Sequence, residues 1–536
     1  MKDELLAFLE TYESKVVELS KELSLTYFDA SISGKEEDYK KASELKIELD
    51  KVYAEKKSFE LLKQIKNSDS IDDPVLKRQL DLIYNAYAAN QFNEDLLERI
   101  INLSNKIEKD FAVFRAEVKG QKFTDNQIDE VLQNSTDSSE LKTAWEASKQ
   151  IGKVVSDDVL EIVKLRNKAA REIGYNNYHE MSLLLNEQNP EDMDKLFDDL
   201  NRITKDEFAK LKNEIDDYLS ERYNVPVNEL MPWHYQETFF QIGPRISEID
   251  FDSYFKDKDL VEITRKYFKE ISLDADDLFE KSDLFEKEGK YQHAYCSSID
   301  RAGDVRVLCN IKPNCRWMGA MLHEYGHAVY DKYISPKLPW ELRRHAHIFT
   351  TEAIALMFGR FVSNPQWLKD VIGISDEEKN KTTKESFNKL RKEQLVFTRW
   401  EQVMYRFERE MYKNPEQNLN SLWWNLVEKY QLIKKPEGRD EPDWAAKIHV
   451  SLYPAYYHNY MLGELLASQL HHYITTKVIK SDELFLQSFA GNKDVGEYLK
   501  NLFFSYGALY SWNELIEIAT GEKLNPQYYA DQFITK

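Results

Sequence analysis

The stretch Met-Leu-His-Glu-Tyr-Gly-His-Ala-Val-Tyr, residues 321–330, places His323 and His327 four positions apart within a largely apolar segment. On an α-helix, residues four apart lie on the same face, so both imidazoles can reach one metal ion. Neutral imidazole is a good zinc ligand, and a catalytic zinc is held by three protein ligands with one position left open. Glu324 is rotated away from the two histidines, which places its carboxylate beside the open position, where it can act as a base. The stretch therefore predicts a helix that carries a zinc site.

A third ligand is needed, because two surface histidines on a helix would explain the stretch equally well. Glu352 lies in Phe-Thr-Thr-Glu-Ala-Ile-Ala-Leu-Met-Phe, residues 349–358, which is another apolar helical pattern. If this helix crosses the first one face to face, its carboxylate lies over both histidines. The alternative is a glutamate in the first turn that only complements the helix dipole. His345 and His347 are competing ligands, ranked lower because they precede that helix in a loop.

Helical periodicity dominates the rest of the sequence. Apolar residues recur at spacings of three and four over about 1–30, 40–65, 76–118, 139–150, 157–173 and 191–223, which is the pattern of amphipathic helices. The clear interruption is at about 290–311, where two alternating runs flank the turn-rich Asp-Arg-Ala-Gly-Asp at 300–304, as in a β-hairpin. We predict a mostly helical, all-α fold with one small antiparallel sheet just before the metal helix.

Size, charge and cysteine content limit the classes of function. The chain has 536 residues, 42% of them hydrophobic and 31% charged, with a formal net charge of −21. We therefore expect a globular protein that binds neither nucleic acid nor a membrane. The N-terminus, Met-Lys-Asp-Glu-Leu-Leu, is acidic where an export signal would be basic and then apolar. The three cysteines, Cys296, Cys309 and Cys315, give no disulfide framework. We expect a cytoplasmic protein.

Several further stretches, taken in order, carry a resemblance to a known family. They are Val-Ser-Asn-Pro at 362–365, Trp-Trp-Asn-Leu-Val-Glu-Lys-Tyr-Gln at 423–431, Trp-Ala-Ala-Lys-Ile-His at 444–449, Tyr457 with Tyr460, and Ser-Tyr-Gly to Thr-Gly at 505–521. With the two metal helices, they make the chain resemble from end to end the catalytic domain of angiotensin-converting enzyme and its bacterial relatives. This is a family of zinc peptidyl-dipeptidases whose third ligand is a glutamate. The chain is similar, more distantly, to the thimet-type oligopeptidases.

The resemblance implies a fold and a domain organisation. The chain would form a single catalytic domain over 1–536, a helical ellipsoid with a deep central channel. Residues 1–110 would form a helical lid, and residues 290–470 would carry the active site. Such a channel admits short flexible peptides and excludes folded proteins, so short peptides are the expected substrates. We also expect the protein to be a monomer.

The resemblance also implies roles for individual residues. Tyr460 would stabilise the oxyanion that forms when water attacks a peptide carbonyl, and His449 and His293 would hydrogen-bond the substrate backbone. Ala294 would lie on the edge of the hairpin and pair with the substrate as an added strand. Glu324 would take a proton from the water and pass it to the leaving amine.

Lys447 and Tyr457 correspond to the pair that binds the C-terminal carboxylate of the substrate in this family. A cation and a phenol aimed at one point would anchor a carboxylate two residues beyond the cut, which implies release of dipeptides from C-termini. The family's third contact to this carboxylate is a glutamine. Gln236 is the candidate for it here, and His234 is its rival.

Two departures from the family pattern affect the expected cofactors. Where vertebrate members bind activating chloride through arginines, this chain has His179, Val427 and Asn459, so we expect one zinc ion and no chloride activation. The family's aspartate four residues after the third ligand is here Leu356. Zinc-bound histidines normally donate their second ring N–H to an outer partner, and the sequence does not identify that partner.

Two other functions are compatible with the sequence. A thimet-type oligoendopeptidase would share the zinc helices and the Tyr-Tyr-His-Asn-Tyr segment at 456–460, and it would cut peptides internally. A catalytically inactive zinc-binding scaffold would keep the fold without turnover. Amidation of a peptide's C-terminus distinguishes the first from a dipeptidase, since it removes the carboxylate that a dipeptidase needs.

Overall fold

The computed structural model describes residues 1–246 and 249–534, and most of them are helical, which confirms the predicted fold class. In chain order, the α-helices are α1 (Lys2–Ser33), α2 (Glu36–Tyr53), α3 (Lys56–Asn67), α4 (Pro74–Ala88), α5 (Glu94–Val113), α6 (Asp125–Asn134), α7 (Ser138–Ser148), α8 (Gln150–Glu172), α9 (Tyr178–Leu185), α10 (Pro190–Tyr223), α11 (Leu260–Glu270), α12 (Asp276–Lys281), α13 (Cys315–Tyr333), α14 (Ile348–Gly359), α15 (Pro365–Trp367), α16 (Asp376–Lys413), α17 (Leu419–Leu426), α18 (Ile448–Leu452), α19 (His458–Tyr473), α20 (Lys493–Leu502), α21 (Trp512–Thr520) and α22 (Gln527–Phe533). The strands of the described residues form two antiparallel hairpins, β1 (Ala116–Val118) with β2 (Gln121–Phe123) and β3 (Tyr295–Ser298) with β4 (Val305–Leu308).

The hairpin of β3 and β4 confirms the small sheet predicted before the metal helix. The two strands pair with Tyr295 opposite Leu308 at one end and Ser298 opposite Val305 at the other. The Asp300 carboxylate closes the turn by accepting hydrogen bonds from the backbone N–H groups of Ala302 and Asp304, at 2.8 and 3.0 Å.

The predicted helical pattern over 76–118 is wrong at its C-terminal end. There α5 ends at Val113, and Ala116–Val118 forms β1. Lys119 and Gly120 both have positive φ angles, 50° and 80°. An α-helix cannot contain such a pair, whereas a two-residue hairpin turn requires it, so the chain turns into β2.

The chain divides into two compact units. Unit 1 consists of Met1–Gln91, Ile249–Phe387 and Leu462–Gln532, and unit 2 consists of Phe92–Glu248, Asn388–Met461 and Phe533–Lys536. The segment 1–110, which the resemblance assigns to a lid, contributes α1–α4 to unit 1 and α5 to unit 2. None of the helices within 1–246 and 249–534 has the length and hydropathy of a membrane-spanning segment.

In unit 1, α13 and α14 cross in direct contact. The Asn314 side chain caps the start of α13 by accepting from the N–H of Trp317, as N-cap residues do. Gly326 permits the close approach of the two helices, because a Cβ at this position would stand 2.9 Å from Cα of Ala355. Around the crossing, α13 buries Met318, Met321, Leu322, Tyr325 and Val329, and α14 buries Phe349, Ile354, Met357 and Phe358.

The N-terminal helices of unit 1 have an apolar core of their own. Its members include Leu5, Leu9, Tyr12 and Val16 of α1, Leu62 and Ile65 of α3, Leu80, Ile83 and Tyr87 of α4, and Trp340. Tyr12 also donates a hydrogen bond from Oη to the buried carboxylate of Glu341, at 3.0 Å. This core therefore extends to the loop between α13 and α14.

Unit 2 is organised around a larger core rich in aromatic residues. These include Trp145, Trp233, Trp400, Trp423, Trp424, Trp444, Phe407 and Tyr412. Asp443 fixes the segment that precedes Lys447, because it accepts hydrogen bonds from Arg439 at 2.7 Å and from the indole of Trp424 at 3.1 Å. The segment from Lys447 to Tyr460 therefore follows a buried turn that these hydrogen bonds hold in place.

Candidate active site

The structure brings His323, His327 and Glu352 together in unit 1. Nε2 of His323 lies 3.8 Å from one carboxylate oxygen of Glu352, and Nε2 of His327 lies 3.6 Å from the other. Ligand atoms of the three partly buried side chains lie within 4.8 Å of one another. A zinc ion with ligand bonds of about 2.0–2.2 Å needs ligand atoms roughly 3.3–3.5 Å apart. The three residues fit such an ion after small shifts of their side chains.

The Glu352 carboxylate is positioned from two sides. On one side, the contact between Gly326 and Ala355 brings α14 onto α13. On the other side lies Gly463 of α19, where a Cβ would stand 3.1 Å from Cγ of Glu352. The next residue, Glu464, forms an ion pair with Arg360. Two glycines therefore give the helices that surround this ligand their close approach.

The structure supplies an outer partner for one of the histidines, which the sequence does not reveal. Nδ1 of His327 lies 2.8 Å from Oγ1 of Thr351, the residue before Glu352. When Nε2 binds a metal, Nδ1 carries the proton and donates it to the threonine hydroxyl, which fixes the ring and its tautomer. The apolar Leu356, at the position of the family's aspartate, offers no such acceptor.

Burial sets the protonation states of this cluster. It lowers the pKa of His323 to about 4 and lowers the pKa of His327 as well, so both rings are neutral at pH 7 and available to a metal. Burial, with a contribution from the Glu352 carboxylate, raises the pKa of Glu324 to about 8. Burial, with a contribution from Glu464, raises the pKa of Glu352 to about 7. Burial thus disfavours the charge of both carboxylates, which a bound cation would offset.

The competing ligands His345 and His347 have other contacts. His347 caps α14, since its Nδ1 accepts a hydrogen bond from the backbone N–H of Phe349 at 3.3 Å. Nδ1 of His345 lies 3.8 Å from the carboxylate of Asp331. Neither residue belongs to the cluster of three metal-ligating side chains, the one such cluster in the described parts of the chain.

His293 and Ala294 stand directly before β3, also in unit 1. The side chain of His293 is exposed. The strand packs against α13. Burial raises the pKa of the Cys296 thiol on β3, and the carboxylates of Asp331 and Glu324 add to this effect. The strand therefore passes close to the candidate base.

One edge of the hairpin has a backbone partner, whereas no strand of the described residues pairs with the other. Along β4, the backbone N–H of Asp283 donates to Val307, and that of Cys309 donates to Asp283, both at 2.9 Å. No strand among residues 1–246 and 249–534 pairs with the outer edge of β3. An extended peptide would find unpaired backbone groups there.

Lys447, His449, Tyr457 and Tyr460 form a second cluster, in unit 2. The ring centroids of His449 and Tyr457 lie 4.9 Å apart, and those of Tyr457 and Tyr460 lie 5.3 Å apart. Nζ of Lys447 lies 5.4 Å from the centroid of the Tyr457 ring. Burial lowers the pKa of His449 to about 4, so this imidazole is neutral at pH 7.

Aromatic rings and one amide surround the Lys447 ammonium. Nζ donates a hydrogen bond to Oε1 of Gln241 at 2.7 Å and lies 5.4 Å from the centroid of Trp400 and 5.7 Å from that of Phe239. Burial lowers the pKa of this lysine to about 8, and the ring faces favour its charged form. An ammonium has three N–H donors, and the hydrogen bond to Gln241 uses one of them.

The glutamine beside Lys447 is therefore Gln241, whereas the sequence points to Gln236 or His234. Gln236 accepts a hydrogen bond from the backbone N–H of Arg245 at 3.0 Å. Nδ1 of His234 accepts one from the backbone N–H of Met231 at 2.9 Å. In the described residues, no hydrogen bond joins either side chain to Lys447. The two glutamines are five positions apart in one irregular segment, so sequence spacing alone cannot choose between them.

The loop that carries Gln241 is fixed by its own hydrogen bonds. The Glu237 carboxylate accepts from the backbone N–H groups of Phe239 and Gln241, at 2.8 and 3.0 Å, and from Nε2 of Gln241 at 2.8 Å. The buried ammonium of Lys149 donates to the carbonyl of Thr238 at 2.7 Å. The Gln241 amide is thereby held with its nitrogen toward Glu237 and its oxygen toward Lys447.

Lys447 and Gln241 line a cavity of about 530 Å³ in unit 2. Four carboxylates also line it: Glu108 of α5, Asp125 and Asp129 of α6, and Glu237. Burial raises the pKa of Asp129, and the neighbouring Glu237 and Asp125 raise it further. Apart from Lys447, the charged groups that line this cavity are acidic.

The three residues that the resemblance assigns to the chloride-binding positions are neutral groups. Burial lowers the pKa of His179 to about 3, with Arg409 adding to the effect, and Val427 is buried and apolar. Oδ1 of Asn459 accepts a hydrogen bond from Gln188 at 2.8 Å. The arginine near His179 is itself paired with an aspartate.

A family model and one relative match this chain over most of its length, and two further relatives match about two fifths of it. A family model described as angiotensin-converting enzyme matches residues 1–528. Angiotensin-converting enzyme of Theromyzon tessulatum is 22% identical over 489 residues, which cover 84% of this chain and 78% of the relative. That of Oryctolagus cuniculus is 24% identical over 236 residues, 43% of this chain and 18% of the relative. An inactive angiotensin-converting enzyme-related protein of Caenorhabditis elegans is 23% identical over 217 residues, 39% of this chain and 24% of the relative. The chain thus belongs to the angiotensin-converting enzyme family of zinc metallopeptidases.

Proposed function

We propose that this protein is a zinc peptidyl-dipeptidase, which hydrolyses short peptides and releases dipeptides from their C-termini. The observation that supports this most is the pair Lys447 and Tyr457 in unit 2. Lys447 is a partly buried cation with unused N–H donors. The hydroxyl hydrogen of Tyr457 has no acceptor among the described residues, since Oη only receives a hydrogen bond there. The carboxylates of Glu237 and Glu401 favour the charged form of the lysine, and the donors of the pair that no described residue accepts complement a carboxylate.

An anchor for a free carboxylate restricts hydrolysis to the end of a chain. The peptide's last residue is fixed at Lys447 and Tyr457, and the bond two residues earlier is the one presented for cleavage. A peptide without this carboxylate leaves the lysine's charge desolvated and unpaired, which is costly. Preference for free C-termini is therefore the functional consequence of the pair.

Glu324 supplies the proton transfers of the proposed reaction. Its carboxylate accepts a proton from the attacking water and donates it to the departing amine. His323, His327 and Glu352 would hold the zinc ion, which when bound polarises the scissile carbonyl and promotes ionisation of water. We assign to the Tyr460 phenol the donation of a hydrogen bond to the developing oxyanion.

The substrate backbone is proposed to add to the outer edge of β3, next to Ala294. Asp283 pairs with β4, and no strand of the described residues pairs with the outer edge of β3. Strand addition gives main-chain affinity for peptides of varied sequence. His293 and His449 are proposed to hydrogen-bond the same backbone. In support, Nδ1 of His449 is buried without a partner among the described residues.

We further propose that the enzyme needs no chloride and acts as a monomer in the cytoplasm. The neutral groups at His179, Val427 and Asn459 support independence from chloride. Cys296 and Cys309 are free thiols, which agrees with a reducing compartment. Hydrolysis rates with and without chloride test the first statement, and a strong dependence would overturn it; gel filtration tests the monomer.

A scaffold without activity is the alternative function, and one relative is described as inactive. This chain carries Glu324 between the two histidines and has the third ligand Glu352 beside them. Because base and ligands are both present, we favour an active enzyme.

Amidation of the substrate tests the proposed function. One octapeptide is prepared with a free and with an amidated C-terminus, and kcat/KM and the products of both forms are measured. We expect the free form to lose dipeptides, and the amide to react about ten- to a hundredfold more slowly, the value of a hydrogen-bonded charge. Equal rates with internal cuts would indicate an oligoendopeptidase, and zinc binding without turnover of either form would indicate a scaffold.

A further inference from the structure

Trp400 contacts both groups of the proposed carboxylate anchor. Its indole Nε1–H donates a hydrogen bond to Oη of Tyr457 at 3.0 Å. Its ring centroid lies 5.4 Å from Nζ of Lys447. The rings of Trp400 and Tyr457 are nearly perpendicular, at 89°, with centroids 6.2 Å apart. The Trp400 side chain of α16 thus donates a hydrogen bond to the Tyr457 phenol, and its ring lies beside the Lys447 ammonium.

The hydrogen bond fixes the role of the Tyr457 hydroxyl. An indole N–H is only a donor, so Oη of Tyr457 must be the acceptor, and its own hydrogen is left for another group. Within residues 1–246 and 249–534, no protein atom accepts that hydrogen. Burial raises the pKa of Tyr457, which keeps the phenol protonated. The Tyr457 hydroxyl is therefore available only as a hydrogen-bond donor before a substrate binds.

The indole itself is held in a fixed orientation. Trp400 is 0% exposed. Its ring packs edge-on against Trp423 with centroids 5.9 Å apart, and lies 5.4 Å from the ring of Phe239. Rotation of the indole would displace these rings in a densely packed interior. The N–H direction is thus set by the core of unit 2.

We propose that Trp400 is a positioning residue that sets the selectivity for a free C-terminal carboxylate over an amide. A carboxylate has only acceptors, whereas a terminal amide also presents N–H donors that need an acceptor. Because Oη of Tyr457 already accepts the indole N–H, the phenol can donate its hydrogen to a carboxylate but is not available to accept a hydrogen bond from an amide N–H. The inference rests on the proposed carboxylate anchor and assigns part of its selectivity to a group that does not touch the substrate.

Trp400→Phe tests this inference because it keeps an aromatic ring near Lys447 and removes the N–H. We expect KM for the free-acid octapeptide to rise about three- to tenfold, the effect of one hydrogen bond. KM for the amide should stay the same or fall, and kcat and zinc affinity should not change. A merely structural role would instead alter both substrates equally and change kcat. Trp233→Phe, in the same aromatic core but with its ring contacts to Trp145 and His234, is the matched control and should keep the wild-type ratio of free-acid to amide KM.

A double-mutant cycle shows whether Trp400 acts through Tyr457. In the Tyr457→Phe background, Trp400→Phe should cause no further change in the free-acid to amide ratio. If thermal melting shows that Trp400→Phe is unfolded, site-specific replacement of Trp400 by 3-benzothienylalanine removes the N–H and keeps the indole shape.

The outcomes separate this inference from the proposed function. An unchanged ratio in the Trp400 variant, or fully additive effects in the double variant, would overturn the positioning role while wild-type discrimination still supports the anchor. A wild-type enzyme that does not discriminate between acid and amide would overturn the anchor itself.

Discussion

Gly326 of α13 lies against the backbone of Ala355 of α14, and a Cβ on this glycine would stand 2.9 Å from Cα and 3.2 Å from N of Ala355. Side-chain atoms do not approach backbone atoms so closely, so the two helices meet here because position 326 has no side chain. The next residue on α13 is His327, and Glu352 precedes Ala355 by three positions on α14. The contact between the two helices thus places the carboxylate of Glu352, the proposed third ligand, beside the histidines.

Gly326→Ala should weaken metal binding by separating the two helices. An added methyl group at a tight crossing costs about 1–3 kcal/mol of folding free energy, and the shift moves Glu352 away from the histidines. We expect about a tenfold or greater loss of zinc affinity, measured by competition with a chelator. Gly319→Ala on the same helix is the control, because its Cβ would make an ordinary 3.4 Å contact with the Val362 side chain. Wild-type affinity in the Gly326 variant would contradict this account.

Thr351→Val should lower zinc affinity by about ten- to a hundredfold, the usual effect of losing an outer partner of a metal-bound histidine. Valine has the shape of threonine but cannot accept the proton of His327 Nδ1. Thr351→Ser keeps the hydroxyl and should bind zinc nearly as well as the wild type. Chelator competition on all three proteins measures the effect, and equal affinities for valine and serine would disprove the role of the hydroxyl.

The affinity for free-acid peptides should fall at alkaline pH. Burial lowers the pKa of Lys447 to about 8, so the ammonium is charged below that pH and loses its proton as pH rises through it. KM for the free-acid octapeptide should therefore rise above about pH 8, by up to about tenfold per pH unit. KM for the amide should not follow this curve. Lys447→Met should abolish the dependence, and Lys429→Met, an exposed lysine of the same unit, should retain it. The same alkaline rise in Lys447→Met would assign it to another group.

Peptides that end in Lys or Arg should bind better than those that end in Glu. The cavity lined by Lys447 also carries Glu108, Asp125, Asp129 and Glu237, and their combined field attracts a cationic side chain. We expect about a two- to fivefold difference in KM at low salt, as for solvent-exposed charges. Asp129→Asn should reduce the difference, whereas Glu130→Gln, on the same helix but outside the cavity lining, should not. No preference at any ionic strength would refute this prediction.

Those parts of the fold and site that depend on local spacing can be predicted from the sequence. The four-residue spacing of His323 and His327 defines a helical face, and the alternation around residues 290–311 defines a hairpin. The family pattern then adds Glu352 as the third ligand, and the structure brings its carboxylate to within 3.8 Å of both imidazoles.

Contacts between distant segments are not encoded in local spacing. The hydrogen bond from Lys447 to Gln241 spans 206 positions, and the choice between Gln241 and Gln236 depends on how an irregular loop folds around Glu237. Thr351 directly precedes Glu352 in the sequence, but only the helix crossing shows that its hydroxyl reaches Nδ1 of His327. The apolar spacing of α5 continues into β1, so this spacing does not predict the turn at Lys119 and Gly120.

The central claim is tested most directly by mass spectrometry of the products formed from a single free-carboxyl peptide. Wild-type enzyme and Glu324→Gln, both loaded with zinc, are compared over a time course. The account predicts successive losses of two residues from the C-terminus with the wild type. For the variant it predicts a loss of about 10²–10⁴-fold in rate, because the proton acceptor and donor is removed. Internal fragments without a dipeptide ladder, or full activity in Glu324→Gln, would contradict it.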